Sequence, residues 1–274
     1  MAILPYSAEG FVQYYNLICY NERGFTMPPH MIPAARMLTD RRITKGMLIV
    51  GPGSGKSVTI SEIFPSFELG HDPTMTILGI SAGEALMQGF LRSVMETVKY
   101  SSTFKGLFPK VRPDENAGWS ADRGMFVTGR EVGNPDASFA ATGLDSKRLT
   151  GLHARLLLCD DLHDDQNAGT IDQCDKVWSR WNNTVMGRGD PRGARYIVSG
   201  RRWNQHDLYS RLMATDEWVV LELPAEREGT NDLWVDVTVP DDLQCTFTDH
   251  LFVEGAPPPK RRVRLNQKRE RVRL

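Results

Sequence analysis

Cysteine is scarce in this chain of 274 residues. The four present, Cys19, Cys159, Cys174 and Cys245, show neither CxxC nor Cys/His ligand spacing. That excludes a zinc ribbon or finger and a disulfide framework, and leaves reduced, structural thiols. Long apolar runs are missing too: none approaches the ~20 residues a membrane-spanning helix needs. The opening Met1-Ala2-Ile3-Leu4-Pro5 lacks the basic-then-apolar form of a signal peptide, so a cytoplasmic protein is expected. None of the six histidines falls in an HExxH or Ser/His/Asp arrangement, which removes the commonest metalloprotease and hydrolase chemistries. No internal repeat is visible. Net charge is also nearly absent, at −1, but it is unevenly placed. Residues 260–274 hold eight Lys or Arg against one Glu, net +7, so the remainder carries −8. A body this acidic is no general nucleic-acid binder, and contact with DNA must come from local patches or from the tail.

With 41% hydrophobic and 24% charged residues the composition is that of a globular protein, and the length allows one large α/β domain with a small appendage. Apolar runs read as strands at Met47–Val50, Thr74–Ser81, Ser138–Thr142, Leu156–Cys159, Ala194–Ser199 and Trp218–Leu223, with a shorter candidate at Gly124–Thr128. Helical patterns fall between them at Ser57–Phe64, Ala82–Tyr100, Ile171–Val185 and 204–215. In the second, Leu86, Phe90, Val94 and Val98 recur about one turn apart. Strands and helices in alternation imply a mainly parallel sheet with right-handed crossovers. The organisation expected is a lead-in or lid over 1–46, including a helix at Met31–Leu38, a core over 47–237, a linker over 238–259 around Gly255-Ala256-Pro257-Pro258-Pro259, and a disordered basic tail over 260–274.

The strongest chemical signal is Gly51-Pro52-Gly53-Ser54-Gly55-Lys56-Ser57, between the Met47–Val50 strand and a helix. Glycines let backbone N–H groups turn inward, and the helix that follows presents its positive end, so the segment forms a phosphate cradle. Lys56 would reach the β and γ phosphates of ATP and the Ser57 hydroxyl would bind magnesium. The usual pattern opens with Gly, where this chain has Val50. An ordinary Gly-rich turn shares the composition; the position between strand and helix favours the cradle.

The partner signal is the strand Leu156–Cys159 running into Asp160-Asp161. A carboxylate at the tip of a core strand beside the P-loop strand holds the nucleotide's magnesium, and the next one orients or deprotonates the attacking water. Asp160 takes the first role and Asp161 the second, with Asp164 and Asp165 as nearby substitutes; paired aspartates can also serve as helix caps. No other metal site is expected. A transition state with charge on the γ-phosphate also needs an arginine. The candidates are Arg148, Arg202 and Arg130. Arg188-Gly189-Asp190 is most simply a turn.

In this order the segments resemble the ATPase domain of the large terminase subunit of tailed bacteriophages, over roughly residues 28–225. The resemblance is carried by Gly51–Ser57, Thr150-Gly151, Leu156–Asp161, Arg201-Arg202-Trp203 and Asp207-Leu208. Phe64-Pro65, Phe108-Pro109, Val177-Trp178 to Arg188, and Leu223-Pro224-Ala225 add to it. The chain departs from the pattern at Gly53, where the family has a loop arginine, at Arg201, where it has a coupling threonine, and at Leu152, where arginine is frequent.

The resemblance implies a P-loop NTPase fold of the ASCE/RecA-like kind, with Ser199, Gly200 and Arg201 in a coupling segment, Arg202 at its end, and Gln205 and Asp207 positioning it. It also implies a ring of identical subunits, a pentamer, that hydrolyses ATP with Mg²⁺ to drive double-stranded DNA into a procapsid. The partners would be the portal protein and the small terminase subunit, in the host cytoplasm. The family's RNase H-like nuclease has no room in this length, so cutting is expected from a separate nuclease. The tail Lys260–Arg273 could dock on that protein, on the portal or on DNA phosphates. Two other readings remain: a helicase or other P-loop nucleic-acid motor, and an ATP-binding assembly factor without turnover.

Overall fold

The computed structural model describes residues 4–223 and, by backbone alone, the segments 233–238 and 263–267. The chain opens with helix α1 (Ala8–Arg23) and, after a 3₁₀ turn at Pro29–Met31, α2 (Ile32–Thr39). There follow β1 (Lys45–Val50), a helix that is π-helical over Val58–Ile63 and continues as α3 (Phe64–His71), β2 (Ile77–Ser81), α4 (Glu84–Tyr100) and α5 (Ser102–Leu107). After the short strands β3 (Trp119–Ser120) and β4 (Gly124–Met125) come β5 (Phe139–Gly143), β6 (Leu156–Asp160), α6 (Ile171–Asn183), β7 (Arg195–Gly200), α7 (Leu208–Met213), β8 (Val219–Leu223), β9 (Leu233–Thr238) and β10 (Val263–Gln267).

These strands form one mostly parallel sheet, ordered β10-β9-β8-β1-β7-β6-β2-β5-β4-β3. The six from β8 to β5 are parallel; on one edge β9 pairs antiparallel with β8 and β10 with β9, and on the other β4 pairs antiparallel with β5 and β3 with β4. Side chains alternate between the two faces of a strand, so each apolar run feeds two cores. On one face Leu48, Val50, Leu156, Leu158 and Ile197 pack with α1 to α5. On the other, Met47, Ile49, Leu157, Cys159 and Val198 pack with Trp181 of α6, Tyr209 of α7 and Trp218. The chain is thus α/β, a mostly parallel sheet covered by helices on both sides. No helix among the described residues is long and apolar enough to cross a membrane.

Several sequence expectations need adjustment. Within the 1–46 region, Phe11, Tyr14, Tyr15 and Ile18 of α1 are buried in the same core cluster as Phe64 and Phe67. The α4 stripe is shifted. Met87, Leu91, Val94 and Val98 are its buried positions, while Leu86 is 49% exposed, because the packing direction of α4 favours the adjacent residue at its first turn. The 204–215 helix shrinks to α7, since Asp207 caps it and the preceding residues form turns. Of the tail expected to be disordered, Val263–Gln267 is a strand paired with β9, in which Val263 and Leu265 flank Arg264; the rest of the tail, and the 238–259 linker apart from Thr238, lie outside the described residues. Cys19, Cys159 and Cys174 are buried in the core, and Cys245 lies outside the described residues.

Candidate functional site

Because β1, β2, β6 and β7 are parallel, their C-terminal ends share one edge, and the residues that follow each strand converge there. The loop after β1 turns through Gly53 (φ +75°) and Gly55 (φ +84°), left-handed conformations that a β-carbon would strain. A β-carbon at Gly51 or Gly53 would meet nothing within 4 Å, so the loop has an open face. Its other side rests on the turn before α2, where Pro28 lies against Gly55 and His30 Nε2 sits 2.8 Å from the Ser54 carbonyl oxygen. The Ser54 hydroxyl is buried with no hydrogen-bond partner.

Lys56 opens the helix, and its ammonium donates to Asp161 Oδ2 at 2.5 Å while standing 3.8 Å from Asp160 Oδ1. Asp160 is 0% exposed, and both of its oxygens are engaged: Ser199 Oγ donates to Oδ1 at 2.6 Å and Ser61 Oγ donates to Oδ2 at 3.2 Å. Ser61 lies in the π-helical stretch. Such stretches concentrate at functional sites, and no sequence pattern announces them.

One geometric expectation is corrected here. The strand that ends in the two aspartates is not beside the P-loop strand, for β7 lies between β1 and β6. The register pairs Asp160 with Ser199 and Ile49 with Gly200, so β7 brings the Ser199 hydroxyl to the gap between the aspartate and the P-loop helix. Side-chain length then closes the distance between Lys56 and Asp160.

Asp161 has φ +47°, a conformation that Asp tolerates better than most residues. Two neighbouring strand ends hold it there: its N–H donates to the Ser199 carbonyl, and its own carbonyl accepts from Ala82 N–H. The reversal turns its carboxylate toward Lys56. Burial, and then the adjacent Asp160 charge, raise its proton affinity above the ordinary carboxylate range, partly offset by Lys56 and Arg201.

A cleft of ≈ 450 Å³ opens at this edge, lined by Val50, Pro52, Lys56, Ala82, Gly83 and Leu86 on the P-loop and α4 side. Asp161, His163, Asp164, Asp165, Arg201 and Trp203 face them. His163 Nε2 accepts from Leu208 N–H and its Nδ1 faces Asn167 Oδ1 at 3.0 Å, and burial lowers its proton affinity. Tyr209 Oη accepts from Leu162 N–H, and Asp207 accepts from Trp203, Asn204 and Ser210 N–H, so α7 braces both the aspartate loop and the segment after β7.

No protein-family model and no curated protein matches this chain.

The predicted residues separate into two sets. Lys56, Asp160, Asp161 and Ser199 are brought together, with Gly51 to Gly55 above them and Ser57 in the same first helical turn. The predicted catalytic arginines are not. Arg148 faces Glu84 at 3.7 Å. Arg202 points to Asp207 at 3.9 Å, Glu222 at 4.0 Å and the Met213 sulfur, away from the cleft lining. Arg130 pairs with Asp114 at 3.5 Å. Gln205 lies beside His206 rather than in the cleft.

The chemistry of a nucleotide and its metal can be tested against these groups. A loop turned by Gly53 and Gly55 at positive φ and open at Gly51 and Gly53, an unpartnered Ser54 hydroxyl, a lysine and a helix start suit a polyphosphate. A buried carboxylate beside a serine-bearing helical turn supplies the hard oxygen ligands that magnesium takes. The donor set fits both. In the present arrangement Lys56 is bound to Asp161, so contact with a phosphate requires it to let go of that carboxylate.

Proposed function

We propose that this chain is a P-loop ATPase of the ASCE/RecA-like kind whose turnover drives a double-stranded DNA packaging motor. The observation that carries the enzyme reading is the ammonium of Lys56 set between Asp160 and Asp161 under a glycine loop, at the C-terminal edge of a parallel sheet. The motor reading rests on the resemblance in segment order. From it come the ring of identical subunits, the portal, the small terminase subunit and a separate nuclease as partners.

Ser57 and Asp160 are the residues that would hold magnesium, which when bound neutralises charge on the β and γ phosphates. Ser61 and Ser199 fix the Asp160 carboxylate in one orientation. As Lys56 turns to the phosphates, Asp161 loses its cation and is free to accept a proton. A water oxygen then bonds to the γ-phosphorus while the bond from that phosphorus to the β–γ bridging oxygen breaks. The water proton passes to the Asp161 carboxylate and then to solvent, and ADP and inorganic phosphate leave. Burial and the adjacent Asp160 charge raise the proton affinity of Asp161, which strengthens it as a base.

The test compares wild type with Asp161→Asn for Mg-ATP binding and for phosphate release, with and without double-stranded DNA and portal. The expected result is binding retained and release reduced on the order of 10²–10⁴-fold. Wild-type turnover in Asp161→Asn, or no binding of Mg-ATP by wild type, would overturn the reading. Strand separation without translocation of duplex DNA would replace the packaging motor by a helicase, and binding without turnover under every condition by an assembly factor.

A further inference from the structure

The cleft contains an arginine other than the candidates the sequence favoured for catalysis. Arg201 follows directly on the last residue of β7 and lines the cleft together with Lys56 and Asp161. Its guanidinium lies 3.8 Å from the centre of the Trp203 ring and 3.9 Å from Asp165 Oδ1. Arg148 and Arg202 face acids outside this space. We propose that Arg201 is the catalytic arginine of this site, leaving Asp165 to place its planar fork on the γ-phosphate of a nucleoside triphosphate held by the same chain. The inference rests on the ATPase reading above.

Three features of the structure support it. Asp165 is 91% exposed, and an exposed pair at that distance holds the guanidinium weakly, so a phosphate can take it over. The Trp203 ring gives the guanidinium a flat support that leaves its N–H edge free for forked bonding, which a lysine could not provide. The backbone on both sides is fixed: the Tyr209 ring packs on Gly200, and Asp207 accepts the N–H groups of Trp203 and Asn204. Only the side chain has to move.

The experiment measures binding of Mg-ADP and of Mg-ADP-aluminium fluoride, a mimic of the transferring phosphoryl group, by wild type, Arg201→Ala, Arg201→Lys and the surface control Arg192→Ala. Wild type and the control should bind the fluoride complex more tightly than ADP. Arg201→Ala should lose that increment while its ADP affinity stays within about threefold. Arg201→Lys should recover only part, and kcat in both should fall on the order of 10²–10³-fold with KM nearly unchanged. Mixing Arg201→Ala with Lys56→Ala subunits should restore no turnover, since the arginine acts in its own chain. An increment preserved in Arg201→Ala, its loss instead in Arg148→Ala or Arg202→Ala, or restoration on mixing would overturn the assignment. If wild type bound neither complex, the ATPase reading itself would fall, a result distinct from any of these.

Discussion

Replacing Lys56 by alanine tests the centre of the site without any ligand. The substitution removes the ammonium that stands 2.5 Å from Asp161 and 3.8 Å from Asp160, and leaves two adjacent carboxylates with no cation at that distance among the described residues. Breaking a buried ion pair from one side costs about 3–5 kcal/mol. Asp161 is 32% exposed, so solvent screens part of this, and the expected loss near neutral pH is about 2–4 kcal/mol. For a domain of this size each kcal/mol moves Tm by roughly 2–4 °C, so Tm should fall by about 5–15 °C. The loss depends on pH with a definite sign. Asp161 already binds its proton more tightly when folded, and without Lys56 it does so more strongly still. The folded state then holds a proton that the unfolded chain has released, so stability falls as pH rises from the ordinary carboxylate range through the raised folded value. Thermal unfolding followed by circular dichroism should show a small deficit near about pH 4.5 and the full one near about pH 8. The double variant Lys56→Ala/Asp161→Asn should regain most of the stability and none of the Mg-ATP binding. A Tm within about 2 °C of wild type at both pH values would refute the reasoning, as would a double variant no more stable than the single one.

Other substitutions probe the supports of the site. Ser199→Ala and Ser61→Ala each remove a hydroxyl from the buried Asp160 carboxylate and should cost about 1.5–3 kcal/mol in urea unfolding, with a drop in kcat at saturating ATP. Gly55→Ala forces a β-carbon into φ +84°; it should cost about 1–2 kcal/mol and weaken ATP binding at least about tenfold by calorimetry. At Gly200 an added β-carbon would collide with the Tyr209 ring, which holds Leu162 N–H beside the aspartates, so Gly200→Ala should lower both Tm and kcat. Glu68, itself fully buried and held by Tyr6, Arg41 and Arg195, lies near the start of β7, at the opposite edge of the sheet. Glu68→Ala should lose about 2–4 kcal/mol of stability and leave ATP affinity unchanged, which separates damage to the fold from damage to the site.

What the sequence by itself determined is local. Apolar runs of strand length, a glycine-rich turn and paired aspartates are written in consecutive residues. Their physics acts over one or two turns of chain, which is why β1, β6, β7, α4 and α6 fall close to their expected positions. Only the tertiary structure decided which ends meet. Strand order is a matter of long-range pairing, and it set β7 between the P-loop strand and the aspartate strand, giving Ser199 its hold on Asp160. The same holds for α1, whose aromatic residues carry no motif yet complete the core beneath the P-loop helix, and for Ser61, reached only through a π-helical turn. Adjacent arginines look alike in sequence. The end of β7 sends Arg201 into the cleft and Arg202 out to Asp207 and Glu222, because direction at a strand end is set by what packs behind it, here the capped α7.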